Sequence, residues 1–204
     1  MRSTAGENLK TSSSYRRDRE AHAAGLALKG LCVVMAFIGY EWFMSGLTKL
    51  ARGGFPSGLA GELAEKSEGT VGWYESLLNG TIIPNARAFG MLIEIGEVAI
   101  GLALIGAAVA LLFRWHRLGY REELVVWSAI AAASLGAIFM NINFHLANGS
   151  PHPWLIPSDG FDEGVDMDSL LPLIEIVFVV IAIKLISRLR SDHASAIEES
   201  IHAA

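Results

Sequence analysis

The chain has little sulfur chemistry to offer, because its single cysteine, Cys32, lies inside an apolar run. One thiol closes no intramolecular disulfide, and without a CxxC pair there is no dithiol exchange. Clusters of basic residues interleaved with aromatics are also missing and the formal net charge is -5, so nucleic acid is not expected as a partner. Charge of any sign is scarce: 18% of the 204 residues are charged and 52% are hydrophobic. With a mean hydropathy of +0.40, that balance lies to the apolar side of ordinary soluble domains and points to the lipid bilayer.

Long apolar stretches are what the chain has in abundance. Residues 25–50, 88–113, 124–147 and 170–186 each come close to or exceed the roughly 20 apolar residues that a helix needs to cross a ~30 Å hydrocarbon layer. The segments between them hold charges, Gly and Pro, which interrupt apolar helices. The expected fold is all-α, a polytopic bundle of four transmembrane helices. Residues 1–20 contain no apolar core for a cleavable signal, so the first span is expected to serve as an uncleaved anchor. The expected organisation is a flexible N-terminal segment at 1–22, the membrane domain at 23–189 and a tail at 190–204. Neither end can bury enough apolar surface to offset its ordering entropy.

Lys and Arg set the orientation, since they accumulate on cytoplasmic flanks. Arg2, Lys10, Arg16, Arg17, Arg19 and Lys29 precede or open the first span. Arg114, Arg117 and Arg121 fill the second connection, and Lys184, Arg188 and Arg190 close the fourth span. The opposite side has only Lys49, Arg52, Lys66 and Arg87, and its last loop carries Asp159, Asp162, Glu163, Asp166 and Asp168. Both termini are therefore expected in the cytoplasm of a plasma (inner) membrane protein. Trp115, Tyr120 and Trp127 flank the inner boundary, and Trp73, Tyr74 and Trp154 the outer one, as interfacial aromatics do. In the first outer loop Ser57 is expected to cap a short amphipathic helix reaching Glu65, and residues 71–78 to form another, the two making a surface lid.

Ionisable groups inside a span are costly and are read as functional by default. Glu41, Ser45 and Lys49 are spaced four apart, along one face near the outer end of the first span. Glu94 and Glu97 continue a stripe with Gly90 and Gly101, small residues that let another helix approach closely. Asn141, Asn143 and His145 end the third span, and Glu175 follows Pro172 in the fourth. At 1.5 Å per residue Glu41, Glu94, Glu97, Asn141 and Glu175 converge on one layer in the outer half of the bilayer, with His145 and Lys49 shallower. The inner half is nearly all Ala, Val, Ile, Leu and Gly, so no polar path crosses the membrane, which argues against a channel or pump.

Such a layer suits a lipid-soluble quinone. His145 is expected to hydrogen-bond a carbonyl oxygen with support from Asn141, while Glu94 and Glu97 exchange protons with the outer water. Glu41, Lys49, Asn143 and Glu175 are expected to complete the pocket. The competing reading for each is a structural pair, such as Glu41 or Glu94 with Lys49, or snorkelling by Lys49. Carboxylates with one imidazole also occur at di-iron sites in helix bundles, but the usual ExxH pairs are missing, so no metal is expected. Paired-histidine haem ligation is disfavoured because His145 is the only histidine within a span.

The segments GYEWFMSGLTKL (39–50), GWYESLL (72–78), IPNARAFGMLIEIGEVAIGLAL (83–104) and NINFHLANG (141–149) resemble the DoxX/DoxD family. The Gly-Leu-x-Lys-Leu pattern at 46–50 and the Glu-x-x-x-Gly run at 97–101 carry the likeness best. It implies a four-helix membrane protein. In the DoxD branch it implies the membrane subunit of thiosulfate:quinone oxidoreductase, which passes electrons from thiosulfate to quinone and works with a second subunit. Other members of the family are membrane partners in thiol and oxidative-stress complexes. The resemblance thus leaves two expectations, a quinone-linked oxidoreductase subunit or a non-enzymatic anchor or scaffold for a redox or stress-response complex.

Overall fold

The computed structural model describes residues 4–66, 68–149 and 167–202; side chains are described from residue 19 onward and at Arg16, except at His116. The acidic outer loop with Asp159, Asp162, Glu163 and Asp166, and the interfacial Trp154, lie outside the described residues. Every regular element among the described residues is helical. Four long helices carry the apolar stretches: α1 (Thr4–Arg52), α4 (Ala86–Arg114), α5 (Tyr120–Ala147) and α6 (Met167–His202). Two short helices, α2 (Phe55–Lys66) and α3 (Gly72–Leu77), lie between α1 and α4. Each long helix holds a segment long and apolar enough to span a membrane, so the chain is a multi-pass four-helix bundle with both ends on one side.

Breaks in the helices have local causes. Gly53 and Gly54 adopt φ of 65° and 82°, left-handed values that only glycine takes without strain, and they end α1 and turn the chain into α2. Ser57 does not cap α2 as its position suggested. The helix begins two residues earlier, and the Ser57 hydroxyl donates to the Gly54 carbonyl at 2.8 Å. At the other side of the bundle Glu122 accepts the Gly119 N–H at 3.1 Å, which satisfies one of the orphan donors at the start of α5.

The ends of the chain are helical. α1 runs unbroken from Thr4 and α6 continues to His202, well past the apolar stretches. Residues 191–202 are exposed, so no core packing orders them. Local terms suffice for helix here: i,i+4 pairs such as Arg16–Glu20 at 2.9 Å and Arg188–Asp192 at 3.8 Å, and the alanines of the tail. His193 of this extension stacks on Tyr120, ring centroids 4.0 Å apart.

Lipid supplies no hydrophobic force between helices, so close packing decides which ones meet. α1 crosses α4 where glycines remove the side chains. A Cβ on Gly39 would lie 2.9 Å from Leu104 Cβ, one on Gly46 2.8 Å from Glu97 Cβ, and one on Gly101 would meet the Phe43 backbone. Gly90 likewise lies against Pro56 of α2, so the expected small-residue stripe is the seam that receives α1 and α2. α4 in turn packs on α5 and α5 on α6. In the half toward the chain ends, Cys32, Met35, Leu104, Ala108, Trp127 and Phe178 form one apolar core. Large apolar side chains such as Phe37, Phe113 and Val125 remain two-thirds or more exposed, as a lipid-facing surface requires.

Candidate functional site

In the half beneath α2 and α3 the helices enclose a cavity of about 890 Å³. One side is polar, with Glu41, Ser45 and Lys49 from α1, Glu97 from α4 and Asn141 from α5. The remainder is largely aromatic and aliphatic, including Phe55, Phe89, Phe139, Met140 and Phe144. Further polar residues line it toward the lid and loops: Glu62 and Lys66 of α2, Thr81, Asn143, Asn148 and Asp168.

Lys49 is the centre of the polar side. Its Nζ lies 2.7 Å from both carboxylate oxygens of Glu97 and donates to Ser45 Oγ, also at 2.7 Å. The Phe55 ring covers it, centroid 5.3 Å away, a cation–π contact. The Glu97 side chain is 1% exposed and that of Lys49 24%, so the pair is sealed on the helix side and open on the cavity side. Gly46 makes the pair possible, because the missing side chain lets α4 bring Glu97 against the α1 backbone.

A second carboxylate stands behind the cavity wall. Glu175 is fully buried and accepts the Trp42 indole N–H at 3.0 Å and the Asn141 amide at 3.2 Å. Both donors line the cavity and Glu175 does not. The carboxylate therefore fixes the orientation of two wall residues and ties α6 to α1 and α5. Trp42 also faces Phe144, ring centroids 6.4 Å apart.

The lid is fastened by hydrogen bonds to the end of α5. Tyr74 of α3 donates its hydroxyl to the region of Asn143, 3.1 Å from Oδ1 and 3.2 Å from the carbonyl. Thr70 donates to the Leu146 carbonyl at 2.7 Å. The Asn143 amide in turn donates to Phe139 O at 2.7 Å. Asn143 thus secures the lid, although it also lines the cavity. Tyr74, Leu78 and Leu146 form a small apolar cluster under this cover.

Five of the eight positions singled out in the sequence line this cavity: Glu41, Lys49, Glu97, Asn141 and Asn143. Three do not. Glu94 is buried on the stripe between Gly90 and Glu97 that faces α1 and α2. His145 is buried, with Nδ1 3.5 Å from Ser169 Oγ across the α5–α6 contact. Glu175 holds the wall from behind. His145 lies one turn beyond Asn141 on the same side of α5, where it meets Ser169 of α6 and not the cavity. Glu97, and neither Glu41 nor Glu94, is the partner of Lys49. Among the described residues no group of three or more His, Cys, Asp and Glu side chains is placed to hold a metal ion.

Trp42 and Phe55 were not singled out by sequence. A signal for Trp42 was available, since an indole within a span needs a partner for its N–H. Phe55 covers Lys49 only through the Gly53–Gly54 turn, which no periodicity reveals. Comparison with protein families, with curated proteins and with solved structures returns no match for this chain.

Proposed function

We propose that the chain is the quinone-binding membrane subunit of an oxidoreductase, with the quinone head group held in the cavity beneath α2 and α3. One observation carries the reading: the 890 Å³ cavity brings an amine, carboxylates and amides together with aromatic and aliphatic groups. That is the surface a flat, lipid-soluble molecule with two carbonyl oxygens requires. Asn141 is the donor we assign to one of those oxygens, while Lys49, whose three N–H groups are engaged by Glu97 and Ser45, supplies positive charge beside the ring. Glu41, which lines the cavity and is still exposed, is the carboxylate best placed to trade protons with water. Bound quinone would supply an acceptor for two electrons and two protons. Its electron donor, thiosulfate or another sulfur or thiol compound, would act through a second polypeptide on the lid side. The DoxX/DoxD resemblance points the same way, and on the Lys and Arg bias we assign both termini to the cytoplasm, with the plasma membrane as the proposed location.

Solvent extraction of protein purified in mild detergent tests this directly. Quinone is expected in near-stoichiometric amount, and Asn141→Leu or Glu41→Ala is expected to lower it several-fold. Wild-type protein that carries no quinone, and takes none up from quinone-loaded nanodiscs, would end the proposal. A second reading, anchor or scaffold, is favoured by the exposed helical extension of α6 past the bundle. Under that reading removal of residues 191–202 abolishes co-purification of a partner, while cavity substitutions have no effect on it.

A further inference from the structure

A second concave surface opens on the outside of the bundle, between α4 and α5. It is a groove of about 610 Å³, shallower and more open than the cavity. Its floor consists of small residues, Gly96, Ala99 and Ala103 on α4 and Ala129, Ala132 and Gly136 on α5. No charged side chain lines it. Phe89, Ile93, Phe139 and Met140 line both, so the groove and the cavity lie against each other at these four side chains. From Phe89 to Ala103 the groove follows α4 for about 21 Å at 1.5 Å per residue, away from the lid and toward the apolar half.

We infer that this groove is the seat of a polyprenyl tail, and that a ligand lies across the Phe89–Ile93–Phe139–Met140 junction with its head group in the cavity. The inference rests on the quinone reading and extends it to the chain length the protein selects. Three features argue for a hydrocarbon tail belonging to the cavity's own ligand. The groove shares four lining side chains with the cavity, it is uncharged along its length, and it runs parallel to the helices, as a tail lying among acyl chains does. Gly96 and Gly136 keep it deep. A Cβ at Gly136 would rest 3.6 Å from Ile100 and one at Gly96 3.4 Å from the Met140 sulfur, ordinary contacts across the α4–α5 crossing, unlike the sub-3 Å approaches of the α1–α4 seam. Phe139, 68% exposed, stands at the junction on the lipid side.

The test compares two quinones with the same head, one with a long polyprenyl tail and one with a single prenyl unit, titrated into nanodiscs holding the full chain. Affinity is expressed per mole fraction in the lipid, so that partitioning cancels, and read from quenching of tryptophan fluorescence. Ala99 and Ala132 are both exposed, so Ala99→Leu with Ala132→Leu fills the groove without overpacking the core. Wild type is expected to prefer the long tail about tenfold, and the double variant to lose that preference while binding the short-tailed quinone as before. Gly136→Leu, a second way to fill the groove, is expected to act alike. Equal binding of the two quinones by wild type, or loss of both in equal measure in the filled variants, overturns the tail seat and leaves the head-group reading standing. Should a filled variant change only the oligomeric state seen by cross-linking, the groove belongs to a second copy and the inference is wrong. If wild type binds neither quinone, both the inference and the reading beneath it fall.

Discussion

Toward the chain ends the bundle is filled by Cys32, Met35, Leu104, Ala108, Trp127 and Phe178, whereas under the lid the same four helices part around a cavity edged by Lys49, Glu97 and Asn141. The first half is held by shape alone. The second is held by directed contacts: the Lys49–Glu97 pair, the three-way junction of Trp42, Asn141 and Glu175, and the lid bonds of Tyr74 and Thr70. Polar groups at membrane depth have a structural reason here. A half that must stay partly open cannot rely on packing density, so hydrogen bonds and ion pairs keep the helices at fixed separations around the space.

The largest effect that would break this comparison is expected at the ion pair. Lys49→Met leaves the Glu97 carboxylate, 1% exposed, without its counter-charge. Removal of one partner of a buried pair costs about 3 kcal/mol, at the low end of the usual range because Lys49 is itself partly exposed. Unfolding in mixed micelles should show that loss. The double variant Lys49→Met with Glu97→Leu is expected to recover most of it, since an apolar pair of similar volume does not leave a charge stranded. A double variant as unstable as the single one would show that Glu97 has some role in the fold besides pairing with Lys49.

Next come the glycines of the α1–α4 seam. Gly39→Ala meets Leu104 in the apolar half, and Gly46→Ala meets Glu97 and the Val98 backbone N, both at 2.8 Å, in the polar half. Overpacking of this kind costs about 1–3 kcal/mol at either site. Only Gly46→Ala is expected to push Lys49 and Glu97 apart as well, so it alone should add to the quinone affinity lost when Asn141 is replaced. If Gly39→Ala lowers that affinity equally, the two halves are not independent and the seam acts as one unit.

Much of this architecture could be read from the chain. The four apolar stretches fall within α1, α4, α5 and α6, because hydropathy over 20 residues reports what a helix must do in lipid. Helix ends were not legible. Polarity marks where a span leaves the bilayer, not where the helix stops, and α1 and α6 continue through polar segments by local propensity. The polar layer was legible as depth and not as rotation. Glu94 and Glu97 are expected at one level, yet which face each helix turns inward depends on its neighbours. Gly46 and Gly101 decide that α4 shows Glu97 to Lys49, and the packing of α6 decides that His145 meets Ser169. The Gly53–Gly54 turn that brings Phe55 over Lys49 belongs to the same class, since a two-residue break in backbone conformation leaves no periodic trace.

The smallest effect is also the most discriminating, because the same substitution can be made once in each half. Trp42 and Trp127 are both buried. The Trp42 indole N–H donates to Glu175 at 3.0 Å, whereas that of Trp127 has no hydrogen-bond acceptor among the described residues. Trp42→Phe therefore removes a bond to a carboxylate as well as some volume, and is expected to cost about 2 kcal/mol. Trp127→Phe removes similar volume but also relieves an unpaired buried donor, and these opposed terms should leave stability within about 1 kcal/mol of wild type. Equal losses from the two variants, measured in the same detergent, would mean that ring volume dominates everywhere and that the polar junction under the lid contributes no more than packing does. A larger loss at Trp42 that disappears when Glu175 is already Leu would place the difference in the indole–carboxylate bond itself.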